Sequence, residues 1–346
     1  MACNLIAKAS LSYVLSDESF WKEDWGQLRL RAAYGHAGRA PGAFDAVRIW
    51  SPVGWGNQVA FTPENVGNED LGPERTIETE FGIDASFFNQ RLDLEFTAYN
   101  QRTTNALLAV NQIPSQGFLN SQLRNVGELE NRGIEVAIDG VPVQNEGFQW
   151  TLGADVSLNQ SEVLDLGGAP PFTLGTLAGI YEGHPAPMVR ADRITNPDEV
   201  ADPIVEEDHF YGPDQPTHIL GLSTSLTLPW WNISISARGE YQGGHYIYDG
   251  ATYNALSRGV RFPTAIGALE QIEAGNADQL TAYERSIAYP ANVRADWFIR
   301  PADFFKLRSL SIHIPIPSKF TGGSEATFTF SGHNLFRWTN DGLPAV

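Results

Sequence analysis

The chain holds one cysteine in 346 residues, Cys3, which excludes a disulfide framework and a thiolate metal cluster. With no apolar segment before it, the stretch Met1-Ala2-Cys3 reads as a chance cysteine and not as a lipidation signal. No run approaches eighteen apolar residues, so a transmembrane helix is excluded. Positive charge is scarce: 23 Lys+Arg stand against 41 Asp+Glu, a net charge of −18, which argues against nucleic acid as a partner. The acidic excess, including Glu206, Glu207, Asp208 and Asp214, reads as a solvated loop surface, because nothing spaces it like a calcium loop. Long helix-period stretches are missing too. With 33 Gly, 21 Pro and 11% aromatic residues, the composition favours many strands joined by turns and loops.

What is present is alternation. From Thr76 to Asn100 apolar and polar residues alternate, reverse at Asn89-Gln90, and alternate again. Ile77, Thr79, Phe81, Ile83, Ala85 and Phe87 share one face, while Glu78, Glu80, Asp84 and Ser86 take the other. On the return, Leu92, Leu94, Phe96 and Ala98 oppose Asp93, Glu95, Thr97 and Tyr99. Each arm runs about ten residues, the length a tilted strand needs to cross a bilayer.

The pattern recurs over Leu5 to Val14, Gln27 to Tyr34, Ile134 to Ile138, Phe148 to Leu158, Ile219 to Leu228, Ile233 to Ala237, Phe304 to Ile314 and Ala326 to Phe336. A slip between Leu307 and Leu310 predicts a β-bulge. With one further short strand over Pro187 to Ile194, about eleven strands are expected. Short turns fall at one end of the hairpins. Long loops fall at the other, about Gly35 to Arg75, Asn105 to Asn131, Ser161 to Pro216 and Gly243 to Ala302, the last with a short helix around Ala268 to Ala274. The fold class expected is all-β: an antiparallel transmembrane β-barrel, partial, with short periplasmic turns and long extracellular loops. Phe87-Phe88, Phe148 with Trp150, and Trp230-Trp231 sit at the short turns, where a membrane-interface girdle wants aromatics.

Chemistry finds little footing. Glu78 with Glu80, or Asp93 with Glu95, has the composition of a glycosidase pair, but these carboxylates sit on strand faces matched by Arg29, Arg31, Arg238, Lys306 and Arg308, as in a charged lumen lining. The seven histidines include no pair at metal-ligand spacing, no Gly-rich phosphate loop is present, and no Gly-x-Ser-x-Gly occurs. No catalytic residue, cofactor or metal is assigned, and no enzyme is expected. The candidate ligand contacts are the loop aromatics Trp50, Trp55, Phe61, Tyr246, Tyr248 and Tyr253.

Three stretches resemble the SusC/RagA-type TonB-dependent outer-membrane receptors. Asn125-Val126-Gly127 with Asn131-Arg132-Gly133-Ile134-Glu135 is similar to the family's signature entering a strand. Gly67-Asn68-Glu69-Asp70-Leu71 with Glu74-Arg75-Thr76 precedes the long hairpin, and Gly332-His333-Asn334-Leu335-Phe336-Arg337-Trp338-Thr339 matches a motif near the penultimate strand. In these motifs Asn125, Gly127, Asn131, Arg132, Gly133, Glu135, Gly332, Asn334, Phe336 and Trp338 are expected to be structural: Gly127 and Gly133 in turn or bulge geometry, Arg132 in a lumen salt bridge.

The resemblance implies a barrel of 22 strands enclosing a plug domain, in the outer membrane of a Gram-negative bacterium. It also implies uptake of oligosaccharides, peptides or similar nutrients, energised by the TonB-ExbB-ExbD complex, under a SusD-like surface lipoprotein. Outer-membrane lipid is the further partner. A plug domain, a TonB box, a signal peptide and a last strand with a terminal aromatic are not found in residues 1–346, so the whole chain is expected to be the C-terminal half of the barrel, inactive alone. The rival is a soluble β-sandwich or lectin-like carbohydrate-binding module with aromatic loops.

Overall fold

The computed structural model describes residues 7–56, 58–110, 115, 120–260 and 262–340. Cys3 and the closing segment 342–346 lie outside them. Ten strands form one sheet in strict chain order: β1 (Lys8–Val14), β2 (Gln27–Arg39), β3 (Glu74–Phe87), β4 (Leu92–Val110), β5 (Gln122–Asn145), β6 (Phe148–Asp165), β7 (His218–Thr227), β8 (Ser234–Gly243), β9 (Phe304–Ile316) and β10 (Ala326–Thr339). Every neighbouring pair is antiparallel, so the sheet is an up-and-down meander, the wall of a barrel. The connections at one end are the shorter ones, 15–26, 88–91, 146–147, 228–233 and 317–325, and at the other end 40–73, 166–217 and 244–303 are far longer.

Register sorts the faces. One row crosses all ten strands as Tyr13, Leu30, Ile83, Phe96, Val136, Val156, Leu220, Tyr241, Phe305 and Trp338. The next row, one residue along, runs Arg29, Asp84, Glu95, Ala137, Asp155, Gly221, Glu240, Lys306 and Arg337 over β2 to β10. A period of two separates a lipid face from a lumen face. On the lumen face, Arg29 Nε and Arg31 Nε donate to Asp84 at 2.7 and 3.0 Å, and Arg308 Nε donates to Glu240 at 2.7 Å. Gly82 keeps the space Arg31 occupies, since a Cβ there would lie 2.8 Å from its guanidinium.

The short turns follow known chemistry. Trp231 and Asn232 both take positive φ, 58° and 52°, as a two-residue hairpin turn of the primed type demands, and Ile233 N–H closes it on the Trp230 carbonyl. Phe88, Trp230 and Trp231 are 71–77% exposed at these turns, where an aromatic girdle meets the membrane interface. The expected bulge is present at Arg308, where the pairing skips between Leu307 and Ser309 and so keeps Leu307 and Leu310 on one face.

Three expectations need correction. The strand over Pro187 to Ile194 exists, as Met188–Ile194, but belongs to a separate four-stranded loop sheet with Phe172–Thr173, Ala178–Ile180 and Val205–Pro213, leaving ten wall strands among the described residues. The stretch Asn105 to Asn131 is mostly strand: β4 and β5 pair as far as Val110 with Gln122. The segment 244–303 carries three helices, α1 (Gly250–Ser257), α2 (Pro263–Glu273) and α3 (Ala282–Ala288), where one was expected.

The buried core lies beyond the belt. Val110, Val126, Val163 and Leu166 at the tall ends of β4 to β6 pack against Phe172 and Ile180, and a second cluster joins Leu256, Ala265, Ile287, Val293 and Phe298. Along the belt itself Phe81, Ile134, Ile138, Leu152 and Leu222 remain about 40% exposed or more, 39–45%. A sandwich would cover that face with a second sheet. Among the described residues none does.

Candidate ligand-capture face

The long connections 166–217 and 244–303 are tied into one cap at the loop end. Asp296 Oδ2 accepts the Ile194 N–H at 2.8 Å, Arg285 Nη1 pairs with Asp202 at 2.6 Å, and Ala282 N–H donates to the Glu199 carbonyl at 2.8 Å. Burial raises the Asp296 carboxyl above its usual range, against the two backbone N–H groups of Ile194 and Trp297 that favour the charged form. Helix α3 starts in a capping box of Thr281 and Glu284, which fixes the angle at which this element meets the sheet.

Tyr246, Tyr248 and Tyr253 lie in this cap. Tyr246 meets Tyr211 with ring centroids 6.0 Å apart, and Tyr253 packs between Tyr248 at 5.9 Å and Phe298 at 5.8 Å. Burial, with Tyr253 and Asp249 beside it, pushes the Tyr248 phenol up to about 12, so it stays a donor at any physiological pH. Trp50, Trp55 and Phe61 belong to a different element, the hairpin Ile49–Trp55 with Gln58–Asn65 in the first long connection. Trp50 pairs with Pro63 and Phe61 with Pro52, which puts both rings on one face, 49% and 64% exposed. The candidates therefore separate into a packed tyrosine trio and a loop hairpin on which Trp50 and Phe61 are exposed.

The sequence did not single out a further cluster on the loop sheet. His184 stacks on Phe210 at 3.9 Å, Tyr181 meets Phe210 edge-on at 5.2 Å, and the Arg190 guanidinium lies over both rings while pairing with Asp208 at 2.7 Å. It borders a cavity of about 360 Å³ lined by Val110, Phe172 and Tyr181. These residues carry no spacing signal, because two loop strands and the turn at 181–184 supply them. On the lumen face near the loop end, the small side chains of Ala33, Gly35 and Ala37 leave a depression of about 430 Å³ edged by Lys8, Glu78, Glu80 and Gln101.

The motif residues fall into two groups. Asn125 accepts from Gly72 N–H at 2.7 Å and donates to the Gly72 and Asn105 carbonyls, both at 2.9 Å, while Asn68 donates to the Leu123 carbonyl and Gln122 to that of Gly67. Two motifs more than fifty residues apart thus clasp each other at the loop end of the wall. Gly127 has φ +49°, and a Cβ there would sit 1.5 Å from the Asp165 carbonyl oxygen. Asn334 takes φ 52° opposite the Arg308 bulge, with Gly332 beneath the Leu335 side chain. Phe336 and Trp338 sit on the lipid face, and Asn131 and Glu135 on the lumen face.

Two of these roles differ from expectation. Gly133 is neither turn nor bulge but floor, since a Cβ there would meet the Tyr99 hydroxyl at 2.5 Å. Arg132 shares the face of Ile134, not the lumen face, and its Nε and Nη2 donate to Gln160 Oε1 at 3.2 and 3.0 Å instead of forming a lumen salt bridge. With Asn100 donating to Glu130 at 2.9 Å, it forms a polar collar just above the apolar belt.

Residues 5–285 match the model of the TonB dependent receptor-like β-barrel family. The chain belongs to that family. TonB-dependent receptor P39 of Formosa agariphila is 37% identical over 169 residues, 48% of this chain and 16% of the relative. TonB-dependent receptor SusC of Bacteroides thetaiotaomicron is 33% identical over 102 residues, 29% of this chain and 10% of the relative. The solved RagAB peptide transporter matches in fold at a TM-score of 0.80 and 18% identity, over 96% of this chain and 39% of that one. The chain thus spans a minor part of the relatives it matches. Its family is one of receptors in the Gram-negative outer membrane, and the apolar belt is the lipid-facing wall there.

Proposed function

We propose that residues 1–346 form the C-terminal half of the barrel of an outer-membrane receptor that takes up oligosaccharides, peptides or similar nutrients under TonB power. The observation that carries this is the ten-strand meander, with one lipid face, one charged lumen face and all large loops gathered at a single end. Loops at one end of a rigid wall are where capture belongs. RagAB, which this chain resembles in fold, is a peptide transporter, and this supports a peptide or similar nutrient as cargo. In this scheme TonB-ExbB-ExbD acts through the receptor's plug domain, and a SusD-like lipoprotein seats on the loop end.

Among the aromatics, the exposed pair Trp50 and Phe61 is assigned to ligand contact, and Tyr246, Tyr248 and Tyr253 to holding the cap. The test is uptake of fluorescent oligosaccharide and peptide pools by cells carrying the full-length receptor, with and without a TonB deletion. Uptake lost on TonB deletion supports the proposal. Unchanged uptake overturns it.

A further inference from the structure

The outward face of the wall is not evenly ridged. Across β5 to β8 the small residues Gly140, Ala154, Thr224, Ala237 and Gly239 stand between the larger Ile138, Leu222 and Leu307, and the missing side-chain volume opens a groove of about 600 Å³. All eight lie on the face that meets lipid.

The groove offers almost no polar group. The Thr224 hydroxyl is already used, donating to the Thr151 carbonyl at 3.1 Å and accepting from Trp150 Nε1 at 3.0 Å. A sugar or peptide would lose its water hydrogen bonds there without replacement. A hydrocarbon chain loses nothing and gains the dispersion contacts that an unfilled groove forfeits.

One end of the groove has a charge. Leu92 and Pro142 line it on the short-turn side, and Arg91 adjoins both: its Nε and Nη2 donate to the Val141 carbonyl at 3.1 and 2.8 Å, and Nη2 also to the Pro142 carbonyl at 2.9 Å. These bonds hold the guanidinium beside Pro142 at that end of the groove, and among the described residues Nη1 donates to none of the protein's acceptors. Arg91 is exposed and has no acidic partner among the described residues. The next turn packs alongside, with Gly147 against Pro229, and presents Trp230 and Trp231 at interface depth.

We propose that this groove is a binding site for a glycerophospholipid of the periplasmic leaflet, one acyl chain lying in the groove and the phosphate on the Arg91 guanidinium. The site rests on the outer-membrane placement of the belt. The cation sits at the short-turn end, so the lipid comes from the leaflet on that side and not from the lipid A leaflet at the loop end. Hydrophobic transfer cannot drive binding inside a bilayer; groove packing and a charge-assisted hydrogen bond supply the preference.

The experiment uses the full-length receptor extracted from outer membranes in mild detergent. Native mass spectrometry then follows titration with phosphatidylglycerol and, separately, lipid A. One phosphatidylglycerol is expected to stay bound. Arg91→Gln and the groove-filling pair Ala154→Leu with Ala237→Leu should each weaken retention about tenfold. Retention equal in all variants overturns the site, as does lipid A retained in place of phospholipid.

Should the filled variant fail to assemble, wild-type receptor is photolabelled with a phospholipid carrying a diazirine in its acyl chain. Labels should concentrate on β5 to β8, and an even spread around the belt overturns the proposal. Recovery of the receptor in the outer-membrane fraction is scored independently, so failure of the membrane placement is distinguishable from failure of the site.

Discussion

At the scale of single residues, the motif positions act through backbone geometry and not through chemistry. Gly127 combines a positive φ with a carbonyl oxygen where its Cβ would be, so Gly127→Ala strains both the residue and the β6 end beside it. Loss of about 2 kcal/mol or more of barrel stability is expected, read as a lower urea midpoint for retained β-signal in micelles. Asn125 makes three hydrogen bonds that no neighbour replaces. Asn125→Ala should cost about 1–3 kcal/mol and speed amide exchange over residues 67–73, whereas exchange in the wall β7 to β9 should not change. The asparagine of the motif was legible in the sequence; its partner Gly72 was not, because the contact crosses from one long connection to another strand.

At the scale of elements, the face assignment makes a paired prediction on one strand. Val156 lies mid-belt on the lipid face and Ser157 on the lumen face. Val156→Arg should cost about 2–4 kcal/mol and reduce membrane insertion, and Ser157→Arg should insert normally. Equal insertion of both would refute the assignment. The root of the cap around His245 is expected to respond to acid. Burial pushes the His245 imidazole below its ordinary range, and His218 adds to this, while Asp303 and Asp214 pull the other way. A depressed histidine is neutral when folded, so its contribution is whole above the ordinary value of about 6.5 and is lost as the pH falls through the folded value. Its carbonyl holds Ala302 N–H at 2.9 Å, beside the short pairing of Tyr246–Tyr248 with Ile299–Pro301. Protection of 244–248 and 299–303 in hydrogen exchange should therefore drop between pH 7.5 and pH 5, after correction for intrinsic rates. In His245→Phe the drop should vanish.

At the scale of the whole molecule, wall and cap divide the work. Along the belt the wall presents opposed charged and greasy faces, and the packed apolar clusters lie beyond it, one joining the ends of β4 to β6 to the loop sheet and one within the 244–303 connection. The two exposed loop aromatics stand apart from that packing, so Trp50→Ala with Phe61→Ala should lower nutrient binding roughly tenfold without moving the urea midpoint. A midpoint shift of the size seen for Gly127→Ala would instead mark them as structural.

The sequence by itself determined the wall. A strand with lipid on one side and a wet lumen on the other must alternate with period two, and that signal is local, so ten strands, their short turns and the Arg308 bulge could be read residue by residue. Only the tertiary structure decided the rest. Above the belt β4 to β6 are covered by protein, Ala106, Val110, Val126 and Val163 are buried, and the alternation that would have marked Asn105 to Asn131 as strand disappears. Arg132 looked like a lumen charge because a motif does not reveal phase; its register against Asn100 and Gln160 puts it on the outer collar. The same holds for the groove. Gly140, Ala154, Ala237 and Gly239 are scattered through the chain, and only the pairing of four strands makes their small volumes one space.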